Sequence, residues 1–99
     1  MKKQGSPFLN DIRYKMHSKN YSERTIKSYV RWIRSYIIYH KKKHPRDMGR
    51  TEVEDYLAYL AVTRHCSVAT QKQALNALAY LYKKHLIQPL GLLNIKKAS

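Results

Sequence analysis

The stretch SERTIKSYVRWIRSYIIY, residues 22–39, decides the fold. Within it Ile26, Tyr29, Val30, Ile33 and Ile37 stand at offsets 0, 3, 4, 7 and 11. At about 3.6 residues per helical turn these side chains share one stripe, which in water has to be buried against another element. Ser22 supplies an N-cap oxygen and Glu23 sits at the positive end of the helix dipole. At the other end Lys41-Lys42-Lys43-His44 brings positive charge to the C-terminus, and Pro45 prevents continuation.

Working outward, the same logic gives three more helices. Ser6-Pro7 reads as an N-cap followed by proline at the first helical position, with Phe8, Leu9, Ile12 and Met16 at helical spacing over residues 7–18. After a loop through Gly49, Thr51-Glu52-Val53-Glu54 has the form of a capping box with Thr51 as the cap and Glu54 as its reciprocal partner. Val53, Tyr56, Leu57, Leu60 and Ala61 then form an apolar face up to about Arg64. Ser67 caps a fourth helix whose stripe is Ala74, Leu75, Leu78 and Tyr82 and which Pro89 stops. There is no strand alternation, internal repeat or glycine-rich phosphate loop. The expectation is an all-α, four-helix bundle over residues 6–89, with a flexible N-terminus at residues 1–5 and the start of a linker at residues 90–99.

Composition narrows the function. The chain has 99 residues, 20 Lys+Arg and 6 Asp+Glu, a formal charge of +14. One small domain of this size leaves little room for both a core and a deep catalytic cleft. The charge is uneven, with 14 basic and 3 acidic groups in residues 1–50 against 6 and 3 in residues 51–99. A polyanionic partner follows. Disorder is a poor account of the charge, because large aliphatics and nine tyrosines recur at helical spacing. The single Cys66 fits a reducing cytoplasm, and no apolar run is long enough to span a bilayer.

Two rows of residues carry the nucleic-acid signal. Arg24, Lys27, Arg31 and Arg34 follow one another at spacings of 3, 4 and 3, placing four cations along one side of a helix. A charged helix face is ordinarily just solvated, but few acids interrupt this row, and Lys41, Lys42 and Lys43 follow it. Phosphates could engage several of these cations at once and release counterions. On the fourth helix Gln73, Asn76, Tyr80 and Lys83 repeat the 3, 4, 3 spacing away from the core stripe. Amides can bond to adenine in the major groove, and lysine can hold phosphate.

Other chemistry finds less support. His17, His40, His44, His65 and His85 form no ligand set with a cysteine pair, so no metal or cofactor is expected. Cys66 lacks an identifiable base. Glu52, Glu54 and Asp55 are explained by capping and the helix dipole. The tyrosines read mainly as core or interface residues.

Tyr21-Ser22 with Thr25 and Tyr29 resembles the opening helix pair of the core-binding domain of tyrosine recombinases. Residues 70–78, TQKQALNAL, followed by Tyr80-Leu81-Tyr82, resemble that domain's last long helix. The segment His44-Pro45-Arg46-Asp47-Met48-Gly49, with Glu52-Val53-Glu54-Asp55-Tyr56-Leu57 after it, is similar to the integron integrase branch. The resemblance spans roughly residues 8–93.

It implies a SAM-like helical domain that grips one face of DNA while a separate catalytic domain grips the other. Carried over by position, it assigns DNA contacts to Lys19, Ser22, Arg24, Thr25, Lys27, Ser28 and Arg31, and to Thr70, Gln71, Lys72, Gln73 and Asn76. Many relatives have arginine where this chain has Gln73, so an amide contact replaces a phosphate clamp there. The family's tyrosine nucleophile and its arginines belong to the catalytic domain, so none of the tyrosines here is expected to be catalytic. The chain is expected to be an excised or truncated N-terminal domain, monomeric in isolation. In the bacterial cytoplasm it would join other protomers on attachment-site DNA, duplex or folded single strand, and so associate with the nucleoid. A helical RNA-binding protein and a protein-interaction module with an incidental basic face are the alternatives.

Overall fold

Three serines open three of the helices. In the computed structural model, which describes residues 6–96, the Oγ atoms of Ser6, Ser22 and Ser67 accept from the backbone N–H of Leu9, Thr25 and Thr70, each at 3.1 Å. Each bond satisfies one of the donors a helix start leaves unpaired. The helices are α1 (Pro7–Ser18), α2 (Glu23–Tyr39), α3 (Arg50–Val62) and α4 (Val68–Tyr80). The fold is all-α, with four helices and no strand among the described residues. The expected flexible N-terminus, residues 1–5, and the last three residues of the expected linker lie outside the described residues.

The α2–α4 contact is the most extensive in the bundle, and α1 and α3 pack on either member of that pair. Ile26, Val30 and Ile33 of α2 are buried as their spacing requires, and Tyr36 joins them fully enclosed, while Tyr29 and Ile37 are half-buried at the margins. Leu9, Ile12 and Met16 of α1 and Val53, Tyr56, Leu57 and Leu60 of α3 complete the core with α4.

Three local predictions are corrected. First, α3 begins two residues early: Gly49 is its N-cap, and Glu52 rather than Glu54 reaches back, its Oε1 accepting from the Gly49 N–H at 2.8 Å. That bond holds the Glu52 carboxyl below its ordinary pKa. Met48, buried just before the cap, fixes where the helix enters. Second, α3 stops at Val62, where the N–H groups of Thr63 and Arg64 both turn to Tyr59 O. Third, α4 does not run as an α-helix to Pro89; it widens after Tyr80 into a π turn (Leu81–His85), closed by Leu86 N–H to Leu81 O at 2.8 Å.

Tyr80, Leu81 and Tyr82 are consecutive and all buried. Tyr21 and Tyr29 cover Tyr80, while helical spacing from Ala77 and Leu78 carries Leu81 and Tyr82 onto the core side. Tyr82 ends that stripe. Its hydroxyl donates to Pro45 O at 2.7 Å, so the Tyr36 hydroxyl, 2.9 Å away, donates to Tyr82 in turn. Pro45 lies in a short 3₁₀ turn (Pro45–Asp47), and Gln88 Nε2 donates to Arg46 O (3.2 Å) and Met48 O (3.1 Å) of the same segment. The segment after Pro89 is laid back on the bundle: Leu90, Leu93 and Ile95 pack against the core, and Asn94 N–H donates to Glu54 Oε2 at 2.6 Å.

Tyr82→Phe leaves two buried groups unpaired, the Tyr36 hydroxyl and the Pro45 carbonyl, whereas Tyr36→Phe removes only one donor to Tyr82. Urea unfolding is expected to show a loss of about 1–3 kcal/mol for Tyr82→Phe and a smaller loss for Tyr36→Phe. Equal losses would contradict the order of donation. Burial raises the pKa of Tyr36 and pushes that of Tyr82 up to about 12. The folded state therefore keeps these protons where an unfolded tyrosine, at about 10, has lost them. Stability is expected to be insensitive to these groups below about pH 10 and to fall as pH rises toward 12, a trend that Tyr82→Phe reduces in denaturation at varied pH.

Candidate nucleic-acid interface

With successive residues about 100° apart, Arg24, Lys27, Arg31 and Arg34 fall within an arc of about 80° on α2, turned away from Ile26, Val30 and Ile33. All four are exposed. Among the described residues the ion pair is Lys15–Asp11 (3.3 Å), with His17–Glu23 (3.4 Å) and His85–Asp11 (3.4 Å) charged only when the imidazole is protonated, and none of the three uses the row. The Arg31 guanidinium lies 5.7 Å from the Trp32 ring centroid, a cation–π contact that supports its stem without neutralising it. An uncompensated line of cations raises the local potential and attracts polyanions.

The polar candidates divide differently. Ser22 Oγ, besides accepting from Thr25 N–H, donates to Thr25 Oγ1 at 2.9 Å, and Ser67 does the same with Thr70 Oγ1 at 3.0 Å. Ser22, Thr25 and Thr70 are thus engaged in helix starts. Lys19, Lys72 and Gln73 are exposed, and Ser28, one turn after Arg24 on α2, is half-buried beside the cation row.

Between α2 and α4 a shallow depression of about 230 Å³ brings Asn76 and Lys83 together with Tyr21 and Tyr29. Tyr80 forms its floor instead of standing outward as its spacing predicted. Its ring is held edge-on to Tyr21 (5.5 Å) and tilted against Tyr29 (5.7 Å), because α2 covers that flank of α4. Gln71 is also corrected. It is only 5% exposed, and its Nε2 donates to Leu57 O (3.0 Å) and Lys96 O (2.7 Å). The amide ties α4 to α3 and to the C-terminal segment instead of standing at the surface. Lys84 also lines the depression, a position the spacing did not single out, as do Tyr21 and Tyr29 of the recombinase-like motif, which were not among the expected contacts. Tyr29 was assigned to the core by spacing, and only the packing of α4 shows that it reaches the edge of the groove.

Residues 8–92 match the phage integrase N-terminal SAM-like domain. The chain belongs to this family. Proteins described as "Integrase/recombinase" from Escherichia coli and Pseudomonas aeruginosa are each 42% identical to it over 78 residues, which is 79% of this chain and 23% of the relative. The chain therefore spans about a quarter of the length of these relatives.

Within this integrase domain the histidines are taken up singly. His40 Nε2 bonds Glu52 O at 2.9 Å, while His44 Nδ1 accepts from Arg46 N–H at 3.0 Å. Burial raises the pKa of Tyr36, Tyr56, Tyr80 and Tyr82, the opposite of what an activated phenolate requires. No helix among the described residues is long and apolar enough to cross a membrane.

Gln71→Ala removes the bridge to Leu57 O and Lys96 O. Hydrogen exchange is expected to show faster exchange in residues 90–96 and in the α3–α4 contact, with nucleic-acid affinity unchanged. A loss of affinity at unchanged exchange would return Gln71 to the interface.

Proposed function

We propose that this chain is the DNA-binding domain of a site-specific tyrosine recombinase of the integron-integrase type, non-catalytic by itself. The observation that carries the reading is the α2 row: four exposed cations on one side of one helix, without an ion pair among the described residues. Arg24, Lys27, Arg31 and Arg34 take successive phosphates, and Lys19 extends the row toward the start of the helix. The depression holding Asn76 and Lys83 adds an amide and a second cation from α4, with Lys72 and Gln73 further along the same helix. Such a surface recognises the backbone and shape of DNA more than base sequence. In the recombining assembly the domain positions its protomer on attachment-site DNA, duplex or folded single strand, beside other protomers.

The integron assignment rests on the resemblance of residues 44–49 and 52–57 to that branch. In the fold Pro45 and Met48 of this segment are buried and Gln88 bonds two of its carbonyls.

If each cation of the row neutralises one phosphate, log affinity for a short duplex falls against log salt with a slope of about −4. Lys27→Glu with Arg31→Glu is expected to abolish binding in fluorescence anisotropy while leaving helicity by circular dichroism unchanged. Retained binding, or a wild-type slope near zero, would remove α2 from the interface. Structured RNA competing better than duplex DNA at matched salt would favour the RNA-binding alternative.

A further inference from the structure

A second concavity, of about 490 Å³, opens where the start of α1 meets the end of α2. Its floor is apolar, made by Phe8, Leu9, Ile37, Ile38 and Pro45, and its rim is cationic, made by Arg13, Arg34, Lys42 and Lys43. Among the described residues no carboxylate lines it. Ile38 is 46% exposed, and Phe8 and Ile37 are only half-buried, so the floor is open to solvent.

The rim is held at a conformational cost. Lys41 and Lys42 both adopt the left-handed region, with φ of 59° and 65°, where glycine or asparagine is the ordinary occupant. Their N–H groups close the end of α2 on Ile38 O (2.9 Å) and Ile37 O (2.8 Å), and the turn carries Lys42 to the groove. The helix ending thus sets two cationic side chains next to an open apolar floor.

Charge selects the occupant. The chain's own opening residues, MKKQG, carry two lysines, and a second copy carries the same +14, so both match the rim in sign. A nucleic-acid backbone satisfies the rim but gains nothing from Phe8, Ile37, Ile38 and Pro45. An acidic amphipathic helix satisfies both, with leucine or phenylalanine at the i, i+3 and i+4 positions in the groove and carboxylates on the rim. We propose that this groove docks an acidic amphipathic helix of a protein partner, separately from the nucleic-acid row, with Arg34 standing at the border of the two.

The test uses the full chain, labelled for NMR, and a synthetic helical peptide with leucine on one face and glutamate on the others. A short duplex is titrated in parallel. The peptide is expected to shift the resonances of Phe8, Ile37 and Ile38. Ile38→Asn, which removes an apolar anchor without changing charge, is expected to weaken the peptide about tenfold and leave duplex affinity unchanged. Lys43→Gln tests the rim and is expected to weaken the peptide as well; it stands in should Ile38→Asn unfold. Absence of peptide binding, or binding indifferent to both variants, overturns the proposal. So does a duplex that shifts the floor resonances and loses affinity with Ile38→Asn, since the groove would then belong to nucleic acid. Loss of duplex binding through the α2 row alone leaves this result independent of the recombinase reading.

Discussion

Two buried phenol hydroxyls and one proline carbonyl tie the domain together. Tyr36 donates to Tyr82, and Tyr82 donates to Pro45 O, so α2, the end of α4 and the 45–47 turn meet at a single chain of hydrogen bonds. These groups are out of water, where an unpaired hydroxyl or carbonyl is costly, so the relay is satisfied only when all three elements are in register. Around it the rings stack edge to face: Tyr36 with Tyr56 at 5.7 Å and with Tyr82 at 6.3 Å, while Tyr56 donates to Ser35 Oγ at 2.8 Å. The tyrosines thus give a small core both area and direction, which aliphatic residues alone do not supply.

The helix that this relay anchors also carries part of the surface. Tyr82 faces the core on the side of Leu78, and on another side of α4 Tyr80 is held against Tyr21 and Tyr29. Asn76 and Lys83, on either side of Tyr80 in sequence, are left at the lip of the same depression. The side chains that present an amide and an ammonium to the outside thus belong to the same C-terminal part of the helix that the buried relay anchors.

Features governed by neighbours in sequence were legible from the residues alone. The serine caps, the length of α1, the stripe through Ile26, Val30 and Ile33 and the four-cation row depend on spacing and local hydrogen bonds, which a helix imposes by itself. What failed depended on contacts remote in sequence. Gln71 looks like a surface amide until Leu57 and Lys96 arrive from 14 and 25 residues away. Tyr80 is polar at one atom only, and which side of α4 is covered is decided by α2. The start of α3 moved because a buried Met48 and the reach of Glu52 outweighed a Thr51 cap whose pattern was sound. The π turn leaves no mark in the apolar spacing, which runs through Leu78 and Tyr82 as an α-helix would.

The distribution of acids explains why the basic face survives folding. Of the 6 acidic residues, Asp11 pairs with Lys15 and His85, Glu23 with His17, and Glu52 and Glu54 accept from the backbone at Gly49 and Asn94. Four carboxylates are thereby committed to holding elements in place, and none answers the α2 row. Like charges three or four residues apart on a helix disfavour it by about 0.2–0.5 kcal/mol per pair, and Arg24–Lys27, Lys27–Arg31 and Arg31–Arg34 are three such pairs in series. The burial of Ile26, Val30, Ile33 and Tyr36 beneath them offsets that repulsion, so α2 persists without a counter-charge. A polyanion laid along the row removes the repulsion outright. Binding of any such polyanion would thus be linked to helix stability, through repulsion already present in the free domain.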